Sequence, residues 1–244
     1  ILTKENAYQL LHEELILRSI DHKNVVKFYG RVLQQKPVGT KFIFVMELCK
    51  ESLKTYIEVD PICAPGRAPE EAQKTAITDM LKWGKDIASG LMYLHGKQIV
   101  HRDLKPDNIL IGLDGKTLKI ADVGLAKHEK EITGSDVGTP LYMAPEVFSG
   151  NVYDNRADIY SFGLILWELW YGTTVFPEIT SFNELRQKVT SGQRPIHCND
   201  CFAILPQLDT LMRNCWETES ENRLEAVQCL ETINSILESW KKST

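Results

Sequence analysis

Between positions 101 and 108 the chain reads HRDLKPDN, and a further acidic residue, Asp122, follows in IADVG. Asp103, Lys105, Asn108 and Asp122 thus put two carboxylates, an amide and an ammonium within a short stretch of chain. The residues between the last two form apolar runs around LDGK, a turn signal, so a hairpin would return Asp122 to the level of Asn108. Carboxylate and amide oxygens are hard ligands of the kind Mg2+ takes. A lysine balances the charge of a phosphoryl group in transit, and a second carboxylate accepts the proton of an attacking hydroxyl. The chemistry that suits this set is phosphoryl transfer to an alcohol.

Such a set needs elements to position it. Residues 5–20 place Leu10, Leu11, Glu14, Leu17 and Ile20 at helical spacing, with Glu13 on the same helix. NVVKFYGRVL (24–33) and KFIFVMEL (41–48) are β-branched and aromatic, and the turn-like QQKPVGT divides them, so they are expected to pair antiparallel. Residues 60–72, rich in proline, read as a loop, and a helical period returns over 78–97. Strands are expected at 108–111 and 117–120, no periodicity over 125–150, and helices at 156–171, 180–190, 206–215 and 222–240. The pattern predicts an α+β chain with a small strand-containing part, 1–49, and a large helical part, 50–244. Internal repeats and low-complexity tracts are absent from the sequence.

Bulk properties narrow the classes of function. A chain of 244 residues can bury a sizeable core, and its 43% hydrophobic and 25% charged residues are ordinary for a globular domain. A net charge of −5 argues against nucleic acid or an anionic membrane as partner. The longest apolar runs, such as FGLILWELW, are too short for membrane insertion, and no signal peptide is visible. The six cysteines, at 49, 63, 198, 201, 215 and 229, have no framework spacing and read as reduced thiols of a cytoplasmic protein. His197, Cys198 and Cys201 offer too few ligands for a zinc site. A start at Ile1, without Met, reads as a piece of a longer chain.

HRDLKPDN resembles the catalytic loop of protein kinases, DVG at 122–124 their Mg2+-binding DFG, and APE at 144–146 the end of their activation segment. The motifs occur in the family's order, and the resemblance extends over essentially the whole chain. It implies a bilobal kinase fold, with a partial β-rich N-lobe over 1–49 and a helical C-lobe over 50–244. It implies ATP, Mg2+ and a protein substrate, with a homodimer as the arrangement for trans-phosphorylation. By the same resemblance Asp103 is the catalytic base, Lys105 touches the γ-phosphate, and Asn108 and Asp122 hold Mg2+. Glu13 is the helix carboxylate that pairs with the ATP-anchoring lysine, with Glu14 as its competitor. Met46 is the gatekeeper, backbone groups of Glu47 and Cys49 in the hinge face adenine, and Leu110 forms the pocket floor. Glu146 pairs with Arg223, Asp158 anchors the catalytic-loop backbone from a buried helix, and His101 packs beneath the site. Thr133 and Ser135 are candidate phosphosites, with Arg102 as the partner for the phosphate, and Thr139 is expected to hydrogen-bond Asp103 and Lys105.

Two departures stand out. The family's Gly-rich loop and ATP-anchoring lysine do not occur in this sequence, and are expected to lie just before Ile1. Val123 replaces the usual Phe, in a column expected to contain Phe28, Leu17 and His101. Lys105 and GTPLYMAPE resemble Ser/Thr kinases, and YSFGLILWELWYG resembles their tyrosine-kinase-like group, near the leucine-rich-repeat and dusty dual-specificity kinases. The alternatives are a dual-specificity kinase and a pseudokinase that scaffolds on the same fold.

Overall fold

The computed structural model describes residues 4–35, 37, 40–59, 64–123, 127–128, 140–196 and 205–243. Helix α1 (Lys4–Ser19) leads into strands β1 (Phe28–Gln35) and β2 (Thr40–Met46), which pair antiparallel from Phe28 opposite Met46 to Gln35 opposite Thr40. A short strand β3 (Glu51–Ser52) runs into α2 (Leu53–Val59), followed by the long α3 (Glu70–Gly96). Strand β4 (Ile99–Val100) precedes the hairpin β5 (Ile109–Ile111) and β6 (Leu118–Ile120), and β7 (Lys127–His128) returns to pair with β4. The remainder is helical: α4 (Pro145–Phe148), α5 (Arg156–Tyr171), α6 (Phe182–Thr190), α7 (Pro206–Cys215) and α8 (Ala226–Ser243).

Helix α5 is apolar on every side, so it can only sit inside, and every residue from Ala157 to Trp170 is buried. It ends where Gly172 adopts the left-handed conformation that caps a helix at no cost to a residue without Cβ. Helices α3 and α7 pack against it, α8 packs in turn against α3 and α7, and one contiguous core runs from Ile16 and Leu17 of α1 to Ile233 and Leu237 of α8. Helix α3 begins eight residues before the expected 78: Pro69 occupies its N-cap, and Glu70 and Glu71 sit in the first turn, where the helix dipole favours acid. The expected loop over 60–72 is thus cut short at its end. Helix α2 was not anticipated, because its seven residues are too few to display a period. Among the described residues no helix is long and apolar enough to cross a membrane.

What places the site is the seam between the first sheet and the helices. The Ile120 N–H donates to the Asn24 carbonyl (2.9 Å), and the Val26 N–H donates to the Ile120 carbonyl (2.8 Å). The buried Asn24 amide also donates to the Leu118 carbonyl (2.9 Å). Gly90 of α3 lies beneath this seam: a Cβ there would come within 2.8 Å of both the Asn24 carbonyl oxygen and Ile120 Cδ1. The hairpin β5–β6 is thereby fixed between α3 and the strand that leads to β1.

Candidate active site

The catalytic-loop sequence is held from below by one carboxylate. Asp158 of α5 accepts from the backbone N–H groups of His101 and Arg102 and from His95 Nε2, each at 2.9 Å. Burial pushes the Asp158 carboxyl up, but the hydrogen bond and charge of His95 and the backbone N–H of His101 more than offset this and hold it below the usual carboxylate range. His101 is fully buried, donates from Nε2 to the Ala121 carbonyl (2.8 Å) and accepts the Asp103 N–H on Nδ1 (3.3 Å). These two bonds set its tautomer and leave it no proton to exchange with a substrate. It acts as a spacer between the loop and the strand that carries Asp122.

Above this floor the candidate groups converge. Lys105 Nζ lies 2.9 Å from Asp103 Oδ2, and Asn108 Nδ2 donates to the same oxygen (3.1 Å) and to the Asp103 carbonyl (2.9 Å). With its nitrogen so committed, Asn108 offers a cation its amide oxygen. The hairpin does what its turn predicts: Ile109 faces Ile120, Leu110 faces Lys119, and Ile111 faces Leu118. Asp114 shapes the turn by accepting from the N–H groups of Lys116 and Thr117 and the Thr117 hydroxyl, bonds that hold its carboxyl down at about 2. One more rung, the Ala121 N–H donating to the Asn108 carbonyl (2.8 Å), brings Asp122 beside Asn108. Asp122 is exposed with φ of +53°, a left-handed conformation, and no hydrogen bond or ion pair of its carboxylate falls among the described residues. An acidic oxygen and an amide oxygen at one end of a hairpin are a donor set that fits Mg2+.

Adjacent glutamates of α1 have separate fates. Glu14 is buried and paired with Arg18 (2.7 Å) and Arg31 (2.6 Å). Glu13 is half-buried, and its carboxyl is pushed up by burial and by the nearby charge of Asp122. The competitor is thus neutralised by arginines, while Glu13 faces the acidic residue of the cleft. Val123 is buried in the core cluster that also contains Leu17, with Phe28 packed against it.

At the other wall, Met46 and Cys49 are half-buried, and Leu110 alternates with the buried Ile109 and Ile111, so it looks out of the opposite face of the hairpin. The Glu47 N–H is taken by the Lys27 carbonyl (2.8 Å), and its side chain pairs with Lys119 (3.0 Å). The expectation for Glu47 therefore narrows to its carbonyl, since a strand bond uses its N–H. Burial and Glu47 push the Cys49 thiol up. Glu146 and Arg223 form a bidentate pair at 2.7 Å on both arms, with the Arg223 side chain wholly buried. Thr133, Ser135 and Thr139 lie outside the described residues, as do His197, Cys198 and Cys201. Arg102, expected to await a phosphate, is buried and donates from Nε to the Tyr153 hydroxyl (2.7 Å).

Sequence reasoning missed a second clamp from α5. Ser161 donates to the Tyr142 carbonyl (2.7 Å), and the Tyr142 hydroxyl reaches both Glu168 oxygens (3.1 and 3.2 Å). Glu168 also accepts the Val175 N–H (2.7 Å), and burial pushes its carboxyl up to about 7 despite these donors. The signal was an acid inside LWELW, in the otherwise apolar second half of the helix. A cavity of about 540 Å3, lined by Tyr56, Ala72, Met80, Trp83 and Leu169 among others, shares no residue with the cleft.

The sequence pattern of the protein tyrosine and serine/threonine kinase family matches residues 2–233. Serine/threonine-protein kinase pkpA of Phycomyces blakesleeanus is 32% identical over 236 residues, covering 94% of this chain and 35% of that protein. Dual specificity protein kinase shkD of Dictyostelium discoideum is 32% identical over 242 residues, covering 96% and 30%. Tyrosine-protein kinase Fer of Rattus norvegicus is 30% identical over 238 residues, covering 91% and 25%. The chain spans about a third of the length of the first two relatives and a quarter of the third.

Proposed function

This chain belongs to the protein tyrosine and serine/threonine kinase family, and from that premise we propose that it transfers the γ-phosphoryl group of ATP to serine and threonine hydroxyls of protein substrates. The observation that carries the reading is the convergence of Lys105 and Asn108 on one oxygen of Asp103, with Asp122 brought alongside by the Ala121–Asn108 rung. Asp103 orients the attacking hydroxyl and takes its proton. Lys105 offsets charge on the phosphoryl group. Asn108 and Asp122 hold Mg2+, which when bound offsets the charge of the phosphate oxygens. Met46, Leu110, the Glu47 carbonyl and the Cys49 backbone shape the adenine pocket at the junction of the parts 1–49 and 50–244. Glu13, whose carboxyl is pushed up by burial and by the charge of Asp122, calls for a cation beside it, the place of the ATP-anchoring lysine.

Preference for serine and threonine is supported by Lys105 beside Asp103 and by the likeness to pkpA. A cytoplasmic location is supported by Cys49, Cys215 and Cys229, all free thiols, with the last two only 3.7 Å apart and unjoined. The test is to incubate the full-length protein with Mg2+ and radiolabelled ATP, offer serine, threonine and tyrosine peptides, and identify the labelled amino acid. Phosphoserine and phosphothreonine are expected. Phosphotyrosine alongside them would make the enzyme dual-specific, as the name of shkD says of that relative. No transfer to any peptide would favour a scaffold.

A further inference from the structure

We propose, resting on the kinase reading, that Tyr153 is a positioning residue of the catalytic loop, acting through Arg102 on Asp103. Arg102 has φ of +74°, a left-handed conformation that a residue with a side chain keeps only where its surroundings hold it. Among the described residues, two attachments contribute to that hold. From one side its backbone N–H donates to Asp158 Oδ1 (2.9 Å). From the other its Nε donates to the Tyr153 hydroxyl (2.7 Å), and its guanidinium carbon lies 5.8 Å from the centre of the Tyr153 ring. Arg102 is 9% exposed and Tyr153 6%, so water does not compete freely for either group.

The consequence falls on the next residue. The turn at Arg102 directs its N–H down to α5 while Asp103 stays level with Lys105 (2.9 Å) and the Asn108 amide (3.1 Å). Released from Tyr153, the Arg102 backbone can relax toward negative φ, and that rotation carries the Asp103 carboxylate away from both. Tyr153 stands just before α5 and Asp158 in its first turn, so the start of one buried helix grips the loop at two points. The Asp158 grip is on the backbone and belongs to the fold. The Tyr153 grip is on a side chain and sets the angle of the working carboxylate.

Tyr153→Phe tests this in the full-length protein, because it keeps the ring under the guanidinium and removes the hydroxyl that accepts from Arg102. The turnover number is expected to fall about tenfold or more, with KM for ATP unchanged, since a misplaced catalytic group costs rate rather than nucleotide binding. Arg102→Ala and the double variant complete a cycle, and the double variant is expected to be no slower than Arg102→Ala alone. Hydrogen exchange supplies a readout that needs no activity: amides of 101–105 exchange faster in Tyr153→Phe, while those of Ile159–Trp170 do not change. A merely structural tyrosine would lower the melting temperature and leave the turnover number of the folded enzyme intact. Wild-type turnover in Tyr153→Phe, additive losses in the double variant, or unchanged exchange at 101–105 each overturn the proposal. If the wild-type protein transfers no phosphate, the kinase reading fails by itself, and the exchange experiment still decides whether Tyr153 tethers the loop.

Discussion

Asp158 and Asp122 are carboxylates of the same cleft region, and the protein treats their charges in opposite ways. Asp158 is 1% exposed and saturated by His95 and two backbone N–H groups. Asp122 is exposed on a left-handed backbone, and nothing among the described residues bonds its carboxylate. The glutamates repeat the contrast: Glu146 meets Arg223 in a buried bidentate pair, whereas Glu13 looks toward another acid. A charge whose partners are supplied by the chain is spent on building the fold. A charge held near its like, without a partner among the described residues, stays open to a ligand, and the fold tolerates it because water still reaches it.

The contrast is open to test at several strengths, beginning where a buried partner is removed. Arg223→Ala leaves Glu146 without its counter-charge and removes a guanidinium that also donates to the Arg156, Glu217 and Thr218 carbonyls. The expected loss is about 3–5 kcal/mol of unfolding free energy, read by denaturant titration. A variant as stable as wild type would remove Glu146 and Arg223 from the structural class.

On the other side of the contrast, Asp103→Asn and Asp122→Asn are each expected to lower phosphotransfer by about 10²–10³-fold. Their melting temperatures should stay close to wild type, because Asp122 is exposed and an amide at 103 keeps an oxygen that can still accept from Lys105 and Asn108. If Asp122→Asn unfolds the protein as readily as Arg223→Ala does, the division between building and working carboxylates collapses.

Glu168 is a mixed case, bonded by the chain yet poorly solvated, and pH separates the two effects. Its folded carboxyl titrates near 7, above the ordinary 4.5. Between those values the folded state keeps a proton that the unfolded state has released, so stability falls as pH rises from about 4.5 to about 7. The loss is on the order of 3 kcal/mol. Asp158, held below its ordinary range, has the reverse sign: its contribution is present above the unfolded pKa and is lost as pH falls through the folded one. Melting curves of wild type and Glu168→Gln between pH 5 and pH 8 should diverge, with the decline confined to wild type. Parallel curves would show that Glu168 stays ionised throughout.

At the weak end, Lys82 and Asp79 are paired at 2.9 Å with both side chains about half exposed. Lys82→Ala is expected to cost less than about 0.5 kcal/mol by denaturant titration, since solvent screens such a pair. A cost comparable to that of Arg223→Ala would mean that burial is not what sets the value of a charge here.

Much of the site was legible because its parts are local. Asp103, Lys105 and Asn108 lie within six positions, and Asp122 is returned to them by a hairpin whose turn is written in LDGK. Helix α5 was read at its true bounds, since a predominantly apolar helix needs no partner to be recognised. The failures were equally physical. The early start of α3 was hidden by the prolines and glycine that precede it, and α2 was too short to show a period. The Tyr142–Glu168 clamp escaped notice because an acid inside LWELW has no local reason to be there, and its partner lies 26 residues away.

By itself the sequence determined which groups could do chemistry, the hairpin that gathers most of them, and the apolar helix that must lie beneath. Spacing along a chain is enough for such choices, because turns and helical periods act over a few residues. Which of two adjacent glutamates faces the cleft was decided only in the folded chain. Neighbours on a helix point in different directions, and the burial of Ile16, Leu17 and Ile20 turned Glu14 to Arg31 and left Glu13 toward Asp122. The grip of Asp158 on His101, across 57 residues, and of Tyr153 on Arg102, across 51, was decided in the same way. Contacts at that range depend on how helices pack, and packing is a property of the whole core rather than of any stretch of sequence.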